Sequence, residues 1–344
     1  MIITISISFI ILSFIAIINI QGKNDKFIIF ILGFFLILFA GLRPEGSTKD
    51  YLNYISGYNS VETFNLTRLE PTFFLIATTT KKCCDNPKLL FLIYATLGVT
   101  FKLIAIRNIS KLLILSTLIY ISYYYLLHEM TQIRVGVASA ILLLSIKPIY
   151  ERNLKKFLIL LLIAISFHYT AIIMFLLWFL KPKSLNHRLF LLLIPISYLL
   201  VIFNFSLTSL IEFIPIKPIQ VLYKMHKFEM EHGIGEYINI FNVIQLLRCM
   251  LCLMFIHFHK LLEKHNKFSI LLIKIYTLSL VSFVIFSDFP VISFRISELL
   301  GIVEIILIPF LIYIFKPRQL STLFPVSLAS VFLFLSLFYI ELIL

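Results

Sequence analysis

What most constrains this chain is a succession of about a dozen apolar runs with only short polar stretches between them. They lie at roughly 2–20, 27–42, 69–80, 89–106, 112–127, 131–146, 157–180, 189–205, 238–258, 268–287, 296–315 and 321–340. Most approach the ~20 residues that a helix needs to cross a hydrocarbon core of ~30 Å. In lipid, each backbone amide must find its partner within its own segment, so the runs are read as helices. Composition agrees: 60% of the 344 residues are hydrophobic and 14% are charged, against roughly half and roughly 25% in soluble domains. The expected fold class is all-α: a polytopic membrane protein of about 11–12 transmembrane or re-entrant helices. Residues 1–344 are expected to form a single integral membrane domain without an attached soluble domain, and no repeat or low-complexity tract divides them.

The 30 Lys and Arg outnumber the 17 Asp and Glu. They sit in short loops between apolar runs, where they set orientation and do not point to a nucleic-acid partner. Lys23 and Lys26 place the first loop in the cytoplasm. With no basic residue ahead of it, the first run is not read as a cleaved signal peptide. Two runs are awkward. Segment 69–80, about 18 Å long as a helix, is too short to cross, and Ser166-Phe167-His168-Tyr169-Thr170 interrupts 157–180. If every run spans once, the Lys and Arg divide 14 inside and 14 outside. If 69–80 is a short helix at the outer face and 157–180 enters and leaves on the cytoplasmic side, they divide 17 and 11, with Arg248 and Lys274 inside the membrane. The positive-inside rule selects this second arrangement. Loops 107–111, 147–156, 181–188, 260–267 and 316–320 are then cytoplasmic, and loops 43–68, 128–131, 206–237 and 288–295 share the outer face.

Polar residues beside apolar spans are costly to bury, so they mark either packing contacts or a site. Five groups stand out, and each has a plain structural explanation beside the functional one. Arg43-Pro44-Glu45 with Asp50-Tyr51-Leu52-Asn53-Tyr54 can be a stop-transfer arginine and a solvated loop. Glu70-Pro71 can be a helix cap with Pro at the first helical position. In His128-Glu129-Met130-Thr131-Gln132-Ile133-Arg134, Arg134 falls on the outer side, against its topological preference; an anionic ligand or an ion pair with Glu129 would explain it. His168-Tyr169 can be a hydrogen-bonded packing pair, and Arg295 and Glu298, three apart on one helical face, an intrahelical pair. Tyr223-Lys224-Met225-His226-Lys227 in loop 206–237 is aromatic and basic, suited to acidic lipid or sugar. Cys249 and Cys252 lie in an apolar run and Cys83 and Cys84 are adjacent, so all four are read as structural. Gly-rich phosphate loops, a Ser/His/Asp set, HExxH and metal-binding acidic pairs are missing from the sequence, so catalysis is expected to need no cofactor and no metal.

Taken in order, these groups resemble the EpsG-like family of Wzy-type polysaccharide (O-antigen) polymerases. The resemblance is carried by Arg43, Asp50 and Tyr54; by Glu70-Pro71-Thr72-Phe73-Phe74; by Ile133-Arg134-Val135-Gly136-Val137-Ala138; by Phe167-His168-Tyr169-Thr170-Ala171; and by Arg295 with Glu298. It implies a fold like the multi-span GT-C-like glycosyltransferases, in the bacterial inner membrane with the active site facing the periplasm or exterior. It also implies the reaction, transfer of a glycan from an undecaprenyl diphosphate-linked donor to a sugar hydroxyl on a second lipid-linked repeat, so that repeats grow into O-antigen or exopolysaccharide. Membrane lipid and a chain-length regulator protein are the further partners implied, and nucleic acid is not one.

That chemistry assigns roles to the residues. A diphosphate leaving group needs fixed positive charge more than a proton, so Arg43, Arg134 and Arg295 are the expected diphosphate ligands. The acceptor hydroxyl needs a general base, and Asp50, Glu70 and His168 qualify, with Glu70 favoured because its short segment meets the lipid–water boundary. Tyr54, Tyr169, Tyr223, Lys224 and Glu298 are expected to contact substrate. Three alternatives remain at this stage. A lipid-linked oligosaccharide flippase or other secondary transporter would place its charges along a central path. An O-antigen ligase would share the polymerase chemistry. A polysaccharide acyltransferase would resemble proteins with a His in the first span, and no His precedes His128.

Overall fold

A computed structural model of the chain describes residues 1–18, 25–61, 70–203, 205, 208, 217–232, 235 and 238–343, so the loops read at 43–68 and 206–237 lie partly outside the described residues. Among the described residues every regular element is helical. The first half holds α1 (Ile2–Ile18), α2 (Asp25–Gly41), α3 (Tyr51–Asn59), α4 (Pro71–Cys84), α5 (Pro87–Ile109), α6 (Leu113–Ile119), α7 (Ile133–Tyr150) and α8 (Leu154–Phe167). The second holds α9 (His187–Ile202), α10 (Lys217–Glu231), α11 (Val243–His257), α12 (His259–His265), α13 (Ser269–Ile285), α14 (Pro290–Gly301), α15 (Glu304–Leu307), α16 (Leu311–Ile314), α17 (Arg318–Ser321) and α18 (Leu323–Phe338). A π-helical stretch, Tyr120–Thr131, continues α6, and a 3-10 stretch, Tyr169–Phe179, follows α8.

The few polar residues between apolar runs set where helices begin. The side chains of Asn86, Asn153, Asn186 and Asn242 accept from the backbone N–H groups of Lys88, Lys156, Leu189 and Gln245 at 2.9–3.2 Å, satisfying donors that the first turn leaves open. Pro71, Pro87 and Pro290 open α4, α5 and α14, where a missing N–H costs no helical bond.

Three segments, Pro87–Ile109, Ile133–Tyr150 and Pro290–Ile314, are long and apolar enough to cross a membrane, and α11 with α12 would make a fourth bent by 75°. Helices α1, α9, α13 and α18 are apolar and only 16–17 residues long. Ile3 and Phe30 are 75% and 74% exposed on the outward faces of α1 and α2, whereas Lys102, Glu129 and Glu304 are buried. Water would penalise that exterior, and lipid does not. The chain is a multi-pass helical membrane protein.

Helices α5 and α7 form its centre, with α2 laid directly on α5. A Cβ at Gly41 would come within 2.8 Å of the Leu92 Cα, and one at Gly33 within 2.6 Å of Leu103 Cδ1; small residues let the two helices approach this closely. Run 157–180 turns back on itself. His168 is extended (φ −155°, ψ 123°) and ends α8. The 3-10 stretch then returns, so that Phe157 stacks on Trp178 at 5.4 Å. Arg152, just ahead of α8, donates to the carbonyls of Trp178 and Leu180. A straight helix would hold those ends about 35 Å apart.

One residue in the charge count needs correction. Lys102, counted with the inner charges, is fully buried in α5 and pairs with Glu129 at 2.5 Å. It also donates to the Gly136 carbonyl at 2.6 Å, so it carries no information about orientation. The ion pair considered between Arg134 and Glu129 is therefore not the one formed. A second buried pair joins Arg248 of α11 to Glu304 of α15 at 2.9 Å, and the Tyr124 hydroxyl donates to Glu304 at 3.0 Å.

Candidate functional site

The site forms where four helix ends converge: the starts of α4 and α7, the break after α8, and the first half of α14. Glu70 sits in extended conformation immediately before Pro71, and its side chain makes no capping bond to its own helix. It is instead turned inward, 5% exposed, toward α7 and the break at His168. Thr72 ties α4 to that break by donating to the Ser166 carbonyl at 2.7 Å.

A chain of polar contacts then runs through the site. Arg134, in the first turn of α7, forms an ion pair with Glu70 Oε2. The other carboxylate oxygen, Oε1, lies 2.8 Å from His168 Nδ1. The opposite ring nitrogen, His168 Nε2, faces Arg295 Nη1 at 3.4 Å. A carboxylate at Nδ1 fixes the proton there and leaves Nε2 with its lone pair. The Arg134 guanidinium also lies over the rings of Tyr54 and Phe73, each 5.5 Å from the ring centre, which adds cation–π attraction to the ion pair. Arg295 is different. Among the described residues it forms no ion pair with a carboxylate, and its guanidinium faces the imidazole instead.

These side chains border a cavity of about 110 Å³ lined by Asp50, Asn53, Tyr54, Gly57, Phe73, Arg134 and Arg295. The small α3 supplies three of the seven, since positions 53, 54 and 57 share one helical face, and its N-cap residue Asp50 supplies a fourth. The arrangement offers two guanidinium groups, an imidazole with one nitrogen held by a carboxylate, and an aromatic wall. That combination suits an anionic, partly apolar ligand whose reaction includes a proton transfer.

Of the residues singled out in the sequence, Asp50, Tyr54, Glu70, Arg134, His168 and Arg295 come together here, though they span nearly 250 positions of the chain. Tyr169 follows His168 directly and is half-buried. Glu298 does not pair with Arg295; it is buried and accepts from Gln132 Nε2 at 3.0 Å. Arg43 stands apart from the cavity lining. It is 1% exposed, lies 4.0 Å over the Phe91 ring, and donates to the carbonyls of Ala40 and Glu129 at 2.9 and 3.0 Å. Tyr223 and Lys224 lie on α10, which reaches α14 only at its start: Tyr223 packs on Phe289 at 5.8 Å, and Lys224 is exposed. Gly57 carried no sequence signal, and Phe73 was noted only as an aromatic after Glu-Pro; both line the cavity because α3 packs over α4.

Comparison with known proteins agrees with the motif order. The model of the EpsG family matches residues 26–343. The chain is 24% identical over 303 residues to the amylovoran biosynthesis protein AmsC of Erwinia amylovora, covering 82% of this chain and 78% of that protein. No solved structure matches. The family match extends over nearly the whole chain, and the chain belongs to the EpsG family.

Proposed function

We propose that this protein polymerises lipid-linked oligosaccharide repeat units into an exopolysaccharide or O-antigen, as a metal-independent membrane glycosyltransferase acting on undecaprenyl diphosphate-linked donor and acceptor. Family membership and the relative named for amylovoran biosynthesis support the class of reaction. The observation that carries the site assignment is the run of contacts Arg134–Glu70–His168–Arg295 beside a cavity walled by Tyr54 and Phe73.

In this reading the acceptor hydroxyl oxygen attacks the anomeric carbon of the donor. The bond from that carbon to the diphosphate oxygen breaks, and the diphosphate leaves with the electron pair. Arg295, which forms no ion pair with a carboxylate among the described residues, takes most of the new charge, and Arg134 adds a second donor held in place by Glu70. The acceptor proton passes to His168 Nε2. Glu70 is less suited to that task than its place in the sequence suggests, since both its oxygens are occupied and a carboxylate so engaged is a weak base. It acts as the positioning residue that fixes the imidazole tautomer. Binding of the diphosphate draws Arg295 away from Nε2 and frees the lone pair at the moment it is needed. Tyr54 and Tyr169 offer faces for sugar rings, Asp50 stands at the cavity edge for a sugar hydroxyl, and Arg43 holds the end of α2 against the π-helical stretch.

The proposed orientation puts the cavity on the periplasmic or exterior side. Single cysteines at positions 108 and 184, in a background with Cys83 and Cys84 replaced by Ser, should resist an impermeant thiol reagent in whole cells and react after permeabilisation. Labelling of both in intact cells would reverse the orientation. Function is tested by deletion in the producing organism. Loss of long glycan with single repeats still reaching the outer face is expected, whereas repeats trapped on the cytoplasmic face would make the protein a transporter.

A further inference from the structure

A groove between α2 and α5 has no part in the mechanism above. It encloses about 280 Å³ and is lined by Ile29, Phe30, Phe34 and Ile37 of α2, by Leu103 and Ile104 of α5, and by Leu113 at the start of α6. Gly33 and Thr100 also line it, and small residues there leave the depth between the helices. Two cations, Lys26 and Arg107, complete the lining. Lys26 lies in the first turn of α2 and Arg107 in the last turn of α5. The close contacts Gly33–Leu103 and Gly41–Leu92 show that the two helices run antiparallel, so both cations stand at the same end of the groove. Both are exposed, and neither forms an ion pair among the described residues.

We propose that this groove binds an anionic phospholipid, one acyl chain lying between α2 and α5 and the headgroup phosphate held between Lys26 and Arg107. An uncharged hydrocarbon surface would explain the apolar floor alone. Paired cations from two helices at one end of an otherwise apolar groove match the two-part chemistry of a lipid with a negative head. The proposal is independent of the glycan reading.

Native mass spectrometry of the purified full chain in detergent tests it, with phosphatidylglycerol and phosphatidylcholine of the same acyl chains added in parallel. The wild type should retain phosphatidylglycerol about thirtyfold better, as expected for two surface cations acting together. Lys26→Gln with Arg107→Gln should erase that preference, and Ile104→Trp, which fills the groove without touching the charges, should lower retention of both lipids. A charge-matched control, Lys155→Gln with Lys156→Gln, should keep the preference. Equal retention of the two lipids by the wild type would overturn the proposal. So would a preference that survives loss of Lys26 and Arg107, one that the control also erases, or retention unaffected by Ile104→Trp.

Discussion

Arg134→Ala should abolish long glycan chains, lowering polymer formation by at least about a hundredfold, the scale on which loss of a fixed charge-stabilising donor is felt in other enzymes. Three effects coincide at this residue. The cavity loses one of its two guanidinium groups, Glu70 loses its ion-pair partner, and the stacked face over Tyr54 and Phe73 is vacated. Lys should rescue poorly, because an ammonium cannot reproduce the planar, forked donors. Glu70→Gln should also be impaired but less severely, since the amide oxygen still accepts from His168 Nδ1 while the charge that holds Arg134 is gone. The readout is the ladder of lipid-linked material, with the inserted protein quantified in the same membranes. Normal chain length with Arg134→Ala would end the site assignment.

The largest stability effect should come from the buried Lys102–Glu129 pair, which takes no part in that chemistry. Lys102→Met alone should destabilise the protein by about 3–5 kcal/mol, because among the described residues it leaves the buried Glu129 carboxylate with the Tyr120 hydroxyl, 3.0 Å away, as its remaining side-chain partner. Lys102→Met combined with Glu129→Gln should recover most of that loss, since neither charge then remains to be compensated. Gly98→Ala should resemble the single variant. A Cβ there would stand 2.0 Å from Glu129 Oε2, so the carboxylate has to leave its slot while Lys102 stays behind. Thermal unfolding of the detergent-solubilised variants, with monodispersity as the control, distinguishes these cases. Equal loss in the single and double variants would show that the pair matters for packing and not for charge.

The sequence was most legible where a polar residue interrupts an apolar run. Glu70, Arg134, His168 and Arg295 each stand out because lipid makes such residues costly, and all four meet in the structure. Their partners were not legible. Sequence neighbours offer Glu129 as an ion-pair alternative for Arg134 and Glu298 for Arg295, yet tertiary packing brings Glu70 and His168 closer. Lys102 escaped notice for a related reason. A single Lys in a long apolar run looks like an orientation signal until the π-helical stretch brings Glu129 against it. Arg43 lies apart from the cavity lining although Asp50 is near it along the chain, since sequence position says nothing about which way a side chain turns. Run 157–180 was the opposite case: the break at His168 and the basic residues at both ends pointed to a chain that turns back, and Phe157 on Trp178 closes that hairpin.

The most direct test of the central claim uses the purified chain reconstituted in liposomes with undecaprenyl diphosphate-linked repeat units as donor and acceptor at once. Products of two and more repeats should appear, with one free undecaprenyl diphosphate released for each new glycosidic bond, and His168→Gln should suppress both together. Release of the diphosphate without chain growth, or repeats moved across the bilayer and left unjoined, would contradict the account.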